Sequence, residues 1–251
     1  MSKNFDAYVA YYDLLYRDKD YAGEAAYVDG LIRRYQPAPG EILELGCGTG
    51  MHARELRKLG YTITGVDRSE AMVRRAEERS LQSGEHGLSF TRGDLRDFRA
   101  GRGFDAVLAL FHVMSYQTSN TDLAAAMSTA TAHLGPGGLF IFDCWYGPGV
   151  LTDPPRQRVR ELHGDGFEIT RTAKPVQYPN DNRVDVHYDI RVDRPEGNET
   201  IEEVHPMRYL FAPEVDMLLE MAGMKRIALE TWMVGGEPGL ETWNACFVAA
   251  K

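Results

Sequence analysis

The sequence predicts an α/β fold, with a mostly parallel seven-stranded sheet, an antiparallel last strand and an inserted antiparallel β meander. Three observations carry this. Up to about residue 150, short apolar runs alternate with helical patterns, the mark of parallel strands covered on both faces. From about Arg158 to Phe211 the pattern becomes strand-like alternation (VRELH, FEITRTAKPV, RVDVHYDIRVD, TIEEVHPMRYLF), divided by the turn-rich stretches HGDG, YPNDN and RPEGN. Finally, the strands expected at Lys225 to Thr231 and Asn244 to Ala249 are joined by a polar, glycine-rich stretch (Val234 to Gly239) too short for a helical crossover, so they form a hairpin.

The elements follow in order. A helix is expected from Tyr21 to Tyr35, stopped at Gln36-Pro37 because proline disfavours helix in the residue before it. Glu41 to Leu45 reads as a buried first strand running into Gly46-Cys47-Gly48-Thr49-Gly50 and a helix through Leu59. Tyr61 to Val66 is a second strand ending at Asp67, and Ser69 is placed to cap a helix over Glu70 to Leu81. Leu88 to Arg92 makes a third strand, Phe104 to Phe111 a fourth, and Leu123 to Leu134 a helix ended by Gly135-Pro136-Gly137-Gly138. Leu139 to Asp143 is the fifth strand, and a helix over Pro213 to Ala222 returns the chain to the core after the meander.

Composition narrows the function. With 43% hydrophobic and 26% charged residues, the chain buries a full core as one large domain. Net charge is −9, with no basic stripe longer than pairs such as Arg33-Arg34, which argues against nucleic acid and for a small-molecule substrate. No run approaches the roughly 18 apolar residues that cross a bilayer, and the opening MSKNFDAYVAYYDLLYRDKD has no signal-peptide character. Cys47, Cys144 and Cys246 lack metal-ligand spacing, so no metal is expected, and a reducing cytoplasm is the expected home. A homodimer stays open.

The glycine-rich turn decides the class. It directly follows a buried strand and opens a helix, where glycines allow positive φ and close approach of a ligand to the backbone. The spacing is G-x-G-x-G. Met51 stands where the dinucleotide fingerprint wants its third glycine, and Glu44 suits a cationic ligand better than a pyrophosphate. Asp67, about 20 residues on, can accept from both ribose hydroxyls. Asp94, after the third strand, can meet an adenine amino group, with Leu95 packing on the ring.

These residues resemble class I S-adenosylmethionine-dependent methyltransferases, a Rossmann-like family: ELGCGTG is similar to its first motif, Asp67 to its ribose-binding acid, Asp94-Leu95 to its adenine-contacting pair. The resemblance covers residues of about 40 to 145 and, less closely, the last two strands. Beyond the core, Tyr11-Tyr12-Asp13-Leu14-Leu15-Tyr16, Lys19-Asp20-Tyr21, CGTGMH and Gly93-Asp94-Leu95-Arg96-Asp97-Phe98 resemble N-methyltransferases of nucleotide-linked amino-deoxysugars. Two departures stand out: Ser115-Tyr116 occupies the place of that group's Gly-His pair, and Asp143-Cys144 precedes the aromatic pair in place of Glu-Pro.

The resemblance implies S-adenosylmethionine as cofactor, held by Tyr21, Glu44, Gly46, Cys47, Gly48, Gly50, Asp67, Arg68, Asp94, Leu95 and Phe111. It divides the chain into an N-terminal helical lid segment (1–35), a cofactor-binding core (36–150), an inserted β subdomain (151–211) and a return to the core sheet (212–251). His112 and Tyr116, after the fourth strand, are the catalytic candidates, since histidine titrates near neutrality and can orient an acceptor or take its proton. Tyr12, Ser115, Trp145, Tyr146 and Arg208 are the substrate-binding candidates, the arginine for an anionic group. Asp153-Pro154-Pro155 lies after the fifth strand and reads as a loop.

The acceptor pocket is expected between the ends of the fourth and fifth strands, the N-terminal tyrosines and the meander. Amine methylation of a nucleotide-linked amino sugar leads. An O-methyltransferase for another metabolite and a non-catalytic S-adenosylmethionine-binding protein stay open, and a nucleotide-dependent oxidoreductase is disfavoured by Met51 and Glu44.

Overall fold

The computed structural model describes residues 11–36, 40–164, 166–195 and 197–251. Helix α1 (Tyr21–Tyr35) leads into β1 (Glu41–Leu45), α2 (Met51–Lys58), β2 (Thr62–Asp67), α3 (Glu70–Ser83), β3 (Leu88–Arg92), β4 (Phe104–Ala109), α4 (Asn120–Ala132) and β5 (Leu134–Trp145). A short helix α5 (Gly147–Thr152) precedes β6 (Arg158–Gly164), β7 (Phe167–Tyr178), β8 (Arg183–Arg194) and β9 (Gly197–Arg208). The chain closes with α6 (Ala212–Met221), β10 (Lys225–Thr231) and β11 (Asn244–Ala250).

Seven strands form the main sheet in the order β10-β11-β5-β4-β1-β2-β3. Pairings from β5 through β3 are parallel, and β11 runs antiparallel to both β10 and β5, as the short connection requires. β1 lies inside the sheet between β4 and β2, with Ile42, Leu43 and Leu45 fully buried, each side chain worth about 1.5–3 kcal/mol of transfer from water. One apolar cluster, including Leu43, Val107, Phe140 and Phe247, fills one face. The other face is covered by α1 and α2 through Val28, Leu31, Ile32 and Leu56.

Local chemistry sets the element ends. Asp20, Ser69 and Ser119 cap α1, α3 and α4 by accepting from the backbone of Gly23, Met72 and Asp122. Gly84 ends α3 in the left-handed region at φ 65°. Pro37, expected to stop α1, lies outside the described residues, as do residues 165 and 196 within the HGDG and RPEGN stretches of the sequence. The largest boundary difference is at β5, expected from Leu139. It begins at Leu134, because the Gly-Pro-Gly-Gly stretch stays in the sheet: Gly137 N donates to Lys251 O and Lys251 N to Gly138 O. Correspondingly α4 stops at Ala132, earlier than the expected Leu134.

The inserted strands form a separate antiparallel sheet in the order β6-β7-β8-β9. Its inner face carries two apolar clusters. Leu162, Ile169, Ile190, Val192 and Ile201 pack with Tyr11 and Leu15 of the N-terminal segment, while Val184, Val186, Met207 and Tyr209 pack with Val150 of α5. The sheet therefore stands over the carboxyl edge of the main sheet and is joined to it through the N-terminal segment.

Candidate active site

The turn after β1 is built for a ligand against its backbone. Gly46, Gly48 and Gly50 all hold positive φ, 75°, 53° and 74°. A Cβ on Gly46 would come within 2.6 Å of Val113, and one on Gly50 within 2.8 Å of Phe90, so these two glycines are demanded by packing. A Cβ on Gly48 would meet nothing within 4 Å; that glycine faces open space. Gly48 N donates to Asp67 Oδ2 at 2.9 Å and Ser69 N to Oδ1 at 2.8 Å, holding the acid at the end of β2. Burial raises the Asp67 pKa, although these backbone bonds oppose the rise. A small cleft opens here, lined by the glycine turn, Leu110, Phe111, Tyr12 and Tyr21.

Beneath the turn sits an acid under strong constraint. Glu44 is 1% exposed, its Oε2 has no hydrogen-bond partner, and burial reinforced by Asp67 pushes its pKa up to about 8. Its Oε1 lies 3.8 Å from His52 Nδ1, and His52 Nε2 lies 2.6 Å from Glu24 Oε2. Glu24 also takes Lys19, whose ammonium stands 4.2 Å from the centre of the Phe111 ring. Cys47 is buried, and burial raises its thiol. At the end of β3, Asp94 is gripped by the Arg96 guanidinium and backbone, which hold its carboxyl below the usual range, and Leu95 packs on the core. Arg68 is exposed.

The exit of β4 is strained. Phe111 and His112 both hold positive φ, 64° and 62°, a conformation costly for residues with side chains and persistent only where surroundings enforce it. Asp143, a buried acid on β5, does the enforcing: its Oδ2 accepts from His112 N at 3.1 Å and lies 2.6 Å from His112 Nδ1. Asp143 Oδ1 is buried without a partner. Trp145 meets the His112 ring edge-on at 6.4 Å. Ser115, in the 3-10 turn Val113–Tyr116, is fully buried and its Oγ accepts from Trp145 N at 3.0 Å. Tyr116 reaches across to the second sheet, its hydroxyl 2.8 Å from His205 Nδ1.

Two more of the substrate-binding candidates, besides Ser115, are turned inward. Tyr146 belongs to the main apolar cluster. Arg208 is 8% exposed, pairs with Glu214 of α6 and donates to Thr118 O at 3.2 Å, so its charge is spent inside the protein.

The N-terminal segment crosses the top of the cleft. Residues 11–15 are helical. Asp13 accepts from Thr49 Oγ1 at 3.2 Å and Arg75 Nε at 3.1 Å, and pairs with Arg79, pinning the segment to the glycine turn and α3. Tyr12 and Tyr16 meet with tilted rings at 4.7 Å, and Tyr16 meets Phe111 edge-on at 5.1 Å. Arg171 of β7 stands over Tyr188 at 4.9 Å and Tyr16 at 5.7 Å. Tyr12, Tyr21 and Phe111 line the cleft, Tyr16 touches both Tyr12 and Phe111, the rings of Phe111, His112 and Trp145 follow one another, and Tyr116 and Tyr188 meet at His205. Sequence reasoning did not single out Tyr16, Arg171, Tyr188 and Asp143 as site residues. Of these, Asp143 carried a signal: an acid inside the run LFIFDCW, where every neighbour is apolar or aromatic.

Among the described residues no helix is long and apolar enough to cross a membrane, and no group of three or more His, Cys, Asp or Glu is placed to hold a metal. The model of a methyltransferase domain matches residues 42–138. The chain is 32% identical to the dTDP-3-amino-3,4,6-trideoxy-alpha-D-glucopyranose N,N-dimethyltransferase of Streptomyces venezuelae, over 91% of this chain and 92% of that one. Its fold is similar to Streptomyces venezuelae DesVI, with TM-score 0.80, 27% identity, and coverage of 97% and 98%. It is also similar to the S-adenosylmethionine-bound amino pentose methyltransferase CalS10 of Micromonospora echinaspora, with TM-score 0.76, 25% identity, and coverage of 97% and 96%.

Proposed function

Because the chain belongs to the S-adenosylmethionine-dependent methyltransferases, in the amino-sugar N-methyltransferase group, we propose that it methylates the amine of a nucleotide-linked amino-deoxysugar. The observation that carries this reading is the juxtaposition of Phe111 and His112. Phe111 lines the donor cleft, and the next residue is backed by the buried Asp143, so a negative pole sits where an amine would meet the donor.

The residues present fit the donor. Gly48 opens onto free space, and Glu44 Oε2 under the turn is a buried polar atom with hydrogen-bonding capacity to spare. An ionised carboxylate has about four acceptor sites, so Asp67, with two backbone donors, keeps capacity for ribose hydroxyls. Asp94 and Leu95 stand at the end of β3 for the adenine, with Tyr12 and Tyr21 closing over the cleft. S-adenosylmethionine supplies an electrophilic methyl carbon, whose bond to sulfur breaks with the electron pair returning to sulfur.

His112 and Asp143 orient the acceptor nitrogen. The turn fixes the histidine backbone and the acid fixes its ring, so little ordering is left to the moment of reaction. Holding both reactants in a near-attack arrangement supplies roughly 7–11 kcal/mol at best, consistent with a site of few reactive groups. Trp145 and the aromatics of the second sheet wall the pocket, and Arg171, over Tyr16 and Tyr188, is a cation beside it for an anionic group of the substrate. Ser115 and Arg208 serve by holding Trp145 and the second sheet in place. The test is release of S-adenosylhomocysteine with a panel of nucleotide-linked amino sugars and their hydroxyl counterparts. Turnover with the amines supports the reading, and turnover confined to the hydroxyl sugars contradicts it.

A further inference from the structure

One buried polar cluster lies outside the donor cleft. Along β9 the inward positions are Ile201, Glu203, His205 and Met207. Ile201 joins the apolar cluster around Leu15, and Met207 the one around Val150. Between them two polar residues occupy positions that strand patterning gives to apolar ones, with Glu203 9% and His205 8% exposed. Glu203 Oε1 is buried with no hydrogen-bond partner. Such groups cost stability unless paired, and departures from consistent patterning concentrate at functional sites.

The geometry is a chain. His205 Nε2 lies 2.9 Å from Glu203 Oε2, and His205 Nδ1 lies 2.8 Å from the Tyr116 hydroxyl. A carboxylate only accepts. The neutral imidazole therefore carries its proton on Nε2, facing Glu203, and Nδ1 accepts from the Tyr116 O–H. The phenol oxygen is left as an acceptor. Tyr188 steers the ring, meeting His205 edge-on at 5.0 Å. Tyr116 stands one 3-10 turn beyond His112, is 41% exposed, and meets the second sheet through His205.

We propose that Tyr116 contacts the acceptor amine as a catalytic residue, and that His205 and Glu203 act through it as positioning residues of a proton relay. The proposal rests on the reading of the chain as an amine methyltransferase. As nitrogen bonds the methyl carbon and sulfur recovers the carbon–sulfur pair, nitrogen becomes a cationic ammonium. Its N–H bond breaks toward the Tyr116 oxygen, and that electron pair stays on nitrogen. The Tyr116 O–H proton passes to His205 Nδ1, and the resulting imidazolium is stabilised by the Glu203 carboxylate. Charge moves from nitrogen to imidazole without loss, and the nitrogen is again a neutral nucleophile, ready for a second methyl.

The experiment compares the wild type, Tyr116→Phe, His205→Asn and the double variant on a nucleotide-linked amino sugar. Rates of the first and second methylation, the acceptor KM and the donor Kd are measured. Each single variant is expected to slow the second methylation by roughly 10²-fold, the low end of what proton transfer supplies. Monomethylated product accumulates while donor Kd stays unchanged, and the double variant falls no further because both changes interrupt one relay. Nitrogen-15 NMR of histidine-labelled wild type, which needs no variant to fold, is expected to place the His205 proton on Nε2. A proton on Nδ1, a Tyr116→Phe enzyme at full rate, or losses that multiply in the double variant overturn the relay alone. A wild type without turnover on any such sugar overturns the reading beneath it, and the relay with it.

Discussion

The backbone N–H of Gly48 donates to Asp67 Oδ2 at 2.9 Å, tying the glycine turn after β1 to the acid at the end of β2. Two substitutions separate what packing demands of this turn from what a ligand demands. Gly50→Ala forces a Cβ to within 2.8 Å of Phe90 and 3.0 Å of Ala76 at φ 74°. Gly48→Ala meets nothing within 4 Å and carries only the left-handed cost of about 1–2 kcal/mol. Thermal unfolding is expected to fall further for Gly50→Ala. Calorimetry is expected to show the sharper loss of donor affinity for Gly48→Ala, about tenfold for each 1.4 kcal/mol lost.

Asp13 is the pin that holds the N-terminal segment over the cleft. Its bonds to Thr49 and Arg75 are partly exposed, which limits their worth to about 1 kcal/mol each. Asp13→Ala is therefore expected to leave the melting temperature within a few degrees while speeding donor dissociation by about tenfold. Stopped-flow measurement of donor release checks this. An unchanged off-rate would show that the segment does not gate the cleft.

How far could this have been read without coordinates? The strands, their mostly parallel arrangement and the glycine turn were legible because their signals are local: strand-length apolar runs, caps at Ser69, and acids at the ends of β2 and β3. Ser115 and Arg208 were legible only as polar residues near the right place. Their burial, against Trp145 N and Glu214, depends on contacts a periodicity cannot carry. Tyr116 and His205 are brought together by the packing of the second sheet across the exit of β4, which only the folded chain displays.

Ser115 and Arg208, both turned inward, carry expectations opposite to those of a substrate contact. Ser115→Ala strands the buried Trp145 N–H, at a cost of about 1–3 kcal/mol. Arg208→Ala strands the part-buried Glu214 and removes the bond to Thr118 O, at about 2–3 kcal/mol, below the cost of breaking a fully buried pair. Urea unfolding is expected to show both losses, with the larger at Arg208. At a temperature where the variants remain folded, the acceptor KM is expected to change less than twofold, roughly the resolution of such kinetics.

Glu44 makes stability depend on pH. Its folded pKa, about 8, stands above the ordinary 4.5, so the folded state holds a proton that the unfolded state releases between these values. Stability from this group is full below pH 4.5 and is lost as pH rises toward 8. Glu44→Gln, which keeps the neutral shape, is expected to gain stability relative to the wild type progressively across that window. Parallel denaturant titrations at several pH values measure the difference. A difference independent of pH would place the proton elsewhere.

The central claim is that the methyl group goes to nitrogen. The measurement is mass spectrometry and carbon-13 NMR of the product formed from methyl-labelled S-adenosylmethionine and a dTDP-linked amino-deoxysugar. The predicted result is one and then two labelled methyl groups, both on the sugar amine. Label on a sugar oxygen, or an amino sugar recovered unlabelled from an enzyme that binds the donor, would contradict it.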